Sequence, residues 1–146
     1  MMKTPPPNFT TLLEAITIKT IQPMKIASER IGNLPPGGCE VQLEYRQAFA
    51  ENDPIRDPEG KLVFRMKCEL VVSCEKTPAF THETTFIIIA SVKDEAAFAQ
   101  AWADTEVRTL FLDLQIKKTI WPFFREQIHS AMSRLAMPPV VLPWIL

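Results

Sequence analysis

Few residues in this sequence are of the types that do chemistry. Among 146 residues there are two histidines, three cysteines and one tyrosine. His129 is followed by Ser130, a base beside a nucleophile. If the segment is helical, neighbours project about 100° apart and these two side chains do not meet. No acid is placed to orient the imidazole, so His129 reads as a surface residue beside Arg125. His82 shares an alternating pattern with Phe80 and Thr84. It reads as a core or interface imidazole, because no second histidine or cysteine lies at ligand spacing. Glu83 is a single carboxylate without the partner that acid–base work requires. Cys39, Cys68 and Cys74 are odd in number and contain no Cys-x-x-Cys. That argues against a disulfide framework and for reduced thiols in a cytosol. On one strand, Cys68 and Cys74 would stand roughly 20 Å apart, too far to share a metal ion. Both read as small buried apolar residues. None of the four glycines stands in a phosphate-cradling arrangement. An enzyme is therefore the weaker expectation, and neither a metal nor another cofactor is expected.

The elements that carry these residues are easier to read. Apolar types make up 47% and charged types 23%, which suits one globular domain over 1–146. Lys plus Arg (16) against Asp plus Glu (17) gives a net charge of −1, with no field to draw in nucleic acid or an anionic membrane. Residues 61–75 alternate: Leu62, Phe64, Met66, Cys68, Leu70, Val72 and Cys74 share one face. Residues 39–49 repeat the pattern. Between them, 52–60 is polar and rich in chain breakers, so the two read as antiparallel strands of one hairpin. A further strand covers 79–92. Phe9, Leu12, Leu13 and Ile16 would suit a helix, but Ile16 to Ile21 is rich in β-branched residues, and 9–22 is taken as strand. The loop 31–38 follows it.

After Lys93 the period becomes helical. Asp94 can cap a short helix with Phe98 and Trp102 on one side, and Asp104 or Thr105 can cap the next. In that second helix Val107, Leu110, Phe111 and Leu114 are at helical spacing. Pro122 marks a restart or a kink, after which Phe124, Ile128, Met132 and Leu135 form a stripe. The fold class is α+β: a four-stranded antiparallel sheet (9–92) with two C-terminal helices (94–136) packed on one face. Residues 1–8, with three successive prolines, are expected as a loose tail rather than a secretory signal. Residues 137–146 are expected as an extended Pro-rich apolar tail. The twelve residues from Leu135 to Leu146 are apolar but too short and broken to span a bilayer.

Apolar area is the stronger signal. Phe86-Ile87-Ile88-Ile89 is apolar on both faces of its strand, and helices cover only one. The second face is covered either by the protein's own C-terminal segment or by a second copy. In the latter case Phe86, Ile87 and Ile89 form the oligomer interface. The aromatics gather toward the helices and the tail, which suggests self-association, a groove for apolar chain, or both.

Trp121-Pro122-Phe123-Phe124-Arg125-Glu126 and the helix through Arg134, followed by Met137-Pro138-Pro139-Val140-Val141-Leu142-Pro143, resemble the SecB export-chaperone family. That family has an aromatic-Pro-aromatic-x-Arg-Glu segment, an amphipathic helix and a Pro-rich stretch at this point. Ile16, Lys19 and Ile21, then Glu40-Val41-x-Leu43, then Ala79-Phe80-x-x-Glu83, resemble its strands in order. The resemblance implies a SecB-like sheet with two helices and assembly as a dimer of dimers. It also implies a cytoplasmic, ATP-independent holdase for protein export, with no cofactor. Non-native polypeptides would lie in apolar grooves between sheet and second helix. Trp102, Phe111, Trp121, Phe124 and Trp144 are then the client-binding aromatics. The family's SecA motor docks on an acidic sheet surface. Thr20 stands at its first-strand position here, and Glu83 is retained as a partner-docking residue. The family also includes SecB-like chaperones dedicated to an antitoxin in toxin–antitoxin systems. That is the alternative reading, together with another specific interaction module. In either case burial of client side chains, at roughly 25 cal/mol per Å² of apolar area, would supply affinity without nucleotide.

Overall fold

A computed structural model of the chain describes residues 6–34, 39–51, 53–138, 140 and 142. The first described element is a helix, α1 (Pro7–Ala15), which passes directly into strand β1 (Ile16–Arg30). Then come β2 (Val41–Phe49), the two-residue β3 (Ile55–Arg56), β4 (Leu62–Cys74) and β5 (Thr77–Val92). Helices α2 (Glu95–Trp102), α3 (Thr105–Leu110) and α4 (Lys117–Arg134) follow, with a π-helical segment, Phe111–Ile116, joining the last two. The sheet is antiparallel with spatial order β1-β5-β4-β2, and β3 pairs with β4. The expected α+β architecture is therefore present, with four long strands and the C-terminal helices on one face.

The N-terminal expectation needs correction. Residues 9–15 are helix, not strand, and the helix already starts at Pro7, inside the segment expected as loose tail. A proline at the first helical position has its fixed φ in place and loses no needed donor. Phe9, Leu12 and Ala15 are buried at helical spacing, and α1 packs on α2 and α3. The β-branched run begins only at Ile16, which is where the strand begins.

In β4 and β5 alternation sets two faces. Leu62 to Cys74 at even positions, and Phe80, His82, Thr84, Phe86, Ile88 and Ala90, are buried beneath the helices. The two apolar faces of the 86–89 run thus have different fates. Phe86 and Ile88 enter the core, while Ile87 and Ile89 stay half-exposed on the outer face.

Asp94 caps α2 by accepting from the Ala97 amide at 3.0 Å, and Asp104 caps α3 by accepting from the amides of Glu106 (3.1 Å) and Val107 (3.4 Å). Asp104→Ala should cost about 1 kcal/mol. Denaturant unfolding checks this: the midpoint falls at unchanged slope, and an unmoved midpoint would mean those amides need no cap. From α3 onward the buried stripe runs Val107, Phe111, Ile116, Ile120, Phe124, Ile128, Met132. Successive members are four apart, except for the five-residue step from Phe111 to Ile116. The π segment spans that step, and its wider turn returns Ile116 to the sheet-facing side. Leu114, placed on the stripe by spacing alone, is 42% exposed. Pro122 lies inside α4 and does not restart it.

A disulfide joins Cys39 to Cys74, with Cα atoms 6.2 Å apart. This corrects the expectation of three reduced thiols. Val41 pairs with Cys74 in the β2–β4 register, so the chain just before β2 lies beside the end of β4. Cys68 is free and buried; burial pushes its thiol up to about 11. Met137, Val140 and Leu142 of the C-terminal segment are buried in the core cluster, and the Arg125 Nε donates to the Leu142 carbonyl at 3.4 Å. Among the described residues no helix is long and apolar enough to cross a membrane.

Candidate functional site

Helix α4 packs on β5 and reaches β2 but leaves the end of edge strand β1 open. Phe124 on its underside reaches His82 (5.3 Å between ring centroids), Tyr45 (5.4 Å) and Phe86 (6.5 Å), and Trp121 meets Tyr45 edge-on at 4.9 Å. On β1 the helix-side residue Ile26 is 53% exposed, and neighbouring Met24 and Ile31 are exposed as well. Between this strand and α4 runs a groove of about 500 Å³. Ile26 and Ser28 form one wall, His82 the floor, and Gln127, Ser130, Ala131 and Leu135 the other wall, with Glu126 and Arg134 also lining it.

The floor is polar and ordered. The Ser28 hydroxyl lies 2.6 Å from His82 Nδ1, His82 Nε2 lies 2.9 Å from Thr84 Oγ1, and the Thr84 hydroxyl donates to Gln127 Oε1 at 2.6 Å. With the Gln127 oxygen assigned toward Thr84, the directions follow from proton counting. Thr84 uses its only proton on Gln127, so it must accept from a protonated Nε2. Nδ1 is then bare and accepts from Ser28. His82 is 2% exposed. Burial lowers its pKa from the ordinary 6.5, against a smaller upward pull from Gln127.

A folded-state value below the unfolded one means that the neutral imidazole stabilises the fold. That contribution is complete above pH 6.5 and fades as pH falls through the depressed folded value. Thermal melting should therefore drop on acidification below pH 6.5 more steeply in the wild type than in His82→Gln. Parallel curves for the two proteins would deny His82 this role.

Arg30 bridges the end of β1 to the chain at the C-terminal end of α4. Its Nη1 donates to the carbonyls of Leu135 (2.9 Å) and Ala136 (3.3 Å), its Nε donates to Gly32 (3.3 Å), and its Nη2 donates to Asn33 Oδ1. A guanidinium on the C-cap carbonyl of α4 and the one after it satisfies acceptors at the helix end and suits the negative end of its dipole. It also holds helix and strand at a set spacing.

The residues singled out from sequence are scattered by the fold. Phe111, Trp121 and Phe124 are core, at 1%, 2% and 0% exposure, and so present no surface to a client here. Phe86 is likewise core, at 1%, which removes it from an interface. Trp102 is half-buried on the far side from the groove, stacked on Phe98 at 5.5 Å, with its Nε1 donating to Asp53 Oδ1 at 3.0 Å. Trp144 lies outside the described residues. Ile87 and Ile89 share the outer face with Val63 and the exposed Ile55, which the register aligns in one neighbourhood. Glu83 stands on the same face between Lys67 (3.4 Å) and Lys25 (3.7 Å), and Lys67 also binds Glu69 at 2.9 Å. The local charge is balanced rather than acidic. His129 is half-buried, with Nε2 lacking a partner among the described residues, instead of lying at the surface.

Sequence reasoning missed Ser28, Gln127, Ile26 and Arg30. The unequal hydropathy of the two halves of β1 was the only available hint, since contact with α4 depends on the β1–β5 pairing.

No protein-family model matches the chain, and no curated protein matches it. Among solved structures it is similar to the Mycobacterium tuberculosis SecB-like chaperone Rv1957, solved in complex with a ChAD peptide from the Rv1956 HigA1 antitoxin. The likeness covers 95% of this chain and 96% of that one, at a TM-score of 0.64 and 20% identity. A fainter likeness is to a protein of unknown function from Streptococcus agalactiae, over 88% of this chain and 97% of that one, with a TM-score of 0.33 and 15% identity.

Proposed function

From a chain whose fold is SecB-like, we propose a chaperone that binds non-native polypeptide in the groove between β1 and α4, without nucleotide. The observation that carries this reading is the uncovered end of β1. Ile26 faces a trough that α4 borders, through Ala131 and Leu135, but does not fill. An edge strand left in this state is a liability unless another chain covers it. An extended client can bury apolar side chains there and use the strand edge for backbone hydrogen bonds.

Two forms of this activity differ in client. A general holdase would serve export. A dedicated chaperone would guard one antitoxin, and the antitoxin peptide bound by the Mycobacterium tuberculosis neighbour favours this second form. The balanced charge around Glu83 speaks against docking of a basic motor tail, and so against export. A cytoplasmic location and assembly as a dimer of dimers belong to the same reading. The outer patch of Ile55, Val63, Ile87 and Ile89 is the self-association surface in this reading.

Titration of several unrelated labelled, permanently unfolded proteins against the purified chain tests the proposal. Saturable binding to most of them supports a general holdase. Binding to a peptide from a neighbouring antitoxin alone supports the dedicated form. Binding to neither would end the proposal.

A further inference from the structure

We propose that the polar floor of the β1–α4 groove is a subsite for a primary-amide side chain, an asparagine or glutamine, of the bound polypeptide. This rests on the groove binding polypeptide at all, and adds which side chain it selects. The four-residue chain of hydrogen bonds runs one way, from the Ser28 hydroxyl through His82 and Thr84 to the Gln127 oxygen. Each internal proton is committed, so the network meets a ligand only through its two ends. At one end the Gln127 amide nitrogen, its oxygen held by Thr84, makes no hydrogen bond among the described residues and offers donors. At the other end Ser28 has given its proton to Nδ1 and offers only lone pairs.

A primary amide matches this pair. Its carbonyl accepts from the Gln127 amide, and its own amide nitrogen donates to Ser28 Oγ. Ser130, on the same wall, can serve either role. A carboxylate fits poorly, because it would face the lone pairs of Ser28 with no proton to receive. An apolar side chain would fill the space between Ile26 and Leu135 but would cover the Gln127 donors without pairing them. The groove, at about 500 Å³, has room for a glutamine and the chain that carries it.

The test uses three fluorescent peptides of one length with apolar flanks, identical but for a central glutamine, leucine or glutamate, titrated by anisotropy. Wild-type protein should bind the glutamine peptide about five- to tenfold tighter than the leucine peptide. Gln127→Leu should abolish that preference, so that the glutamine and leucine peptides bind alike. Ser28→Ala, which leaves the helix untouched, should reduce the preference. Equal or tighter binding of the leucine or glutamate peptide by wild type overturns the subsite and leaves the chaperone reading standing. So does a glutamine preference that survives in Gln127→Leu. Failure of all three peptides to bind overturns both.

Discussion

Phe124→Ala is expected to destabilise the protein by about 3–5 kcal/mol, enough to unfold a domain of ordinary marginal stability. The side chain is fully buried and its ring touches His82, Tyr45, Phe86 and Trp121. It therefore ties α4 to two strands at once, β5 through His82 and Phe86 and β2 through Tyr45. Removing it leaves a cavity that the sheet cannot close, because the strands are held at fixed spacing by their ladders. Chemical denaturation and near-ultraviolet circular dichroism should both report the loss. A variant that stays fully folded and loses only client binding would return Phe124 to the role first expected of it, a client anchor.

Ile26→Asp should do the opposite. The residue is more than half exposed, so the melting temperature should hardly move. Client affinity should fall roughly ten- to a hundredfold, since one buried aliphatic contact is worth about 1.5–3 kcal/mol and a carboxylate there must also be desolvated. Ile87→Asp, on the opposite face of the sheet, is the matched control. It should spare client binding and, if the outer patch joins copies of the chain, lower the mass measured by light scattering. Client affinity unchanged in Ile26→Asp would move the binding site away from β1.

The two variants together separate apolar area that holds the protein from apolar area that serves it. Composition cannot make that separation. Phe124 and Ile26 are both apolar, and in sequence the phenylalanine is the more conspicuous. The larger side chain is in the core because it stands on the face of α4 that packs on the sheet, against Tyr45, His82 and Phe86. The smaller one stays open because, among the described residues, no element covers the last residues of the edge strand.

Local regularities were legible without any coordinates. The alternation of 61–75, the hairpin with 39–49, the caps at Asp94 and Asp104 and the helical stripe after Lys93 depend on neighbours a few residues away, and backbone geometry converts that spacing into a face. The SecB-like fold was likewise announced by the segment from Trp121 to the prolines beyond Arg134. Where two local signals competed, as over 9–22, the helical spacing of Phe9, Leu12 and Ala15 prevailed up to the first β-branched run. The five-residue step at 111–116 needed the sheet beneath it before its π turn made sense.

Everything that joins distant segments was settled by tertiary structure alone. Ser28 meets His82 only through the register of β1 on β5, and Cys39 meets Cys74 only because β2 lies beside β4. Gln127 meets Thr84 only when α4 has been laid across the sheet. Alternation says which residues share a face but not what covers that face. The choice between core, groove and open surface is made by which elements are long enough, and near enough, to exclude water.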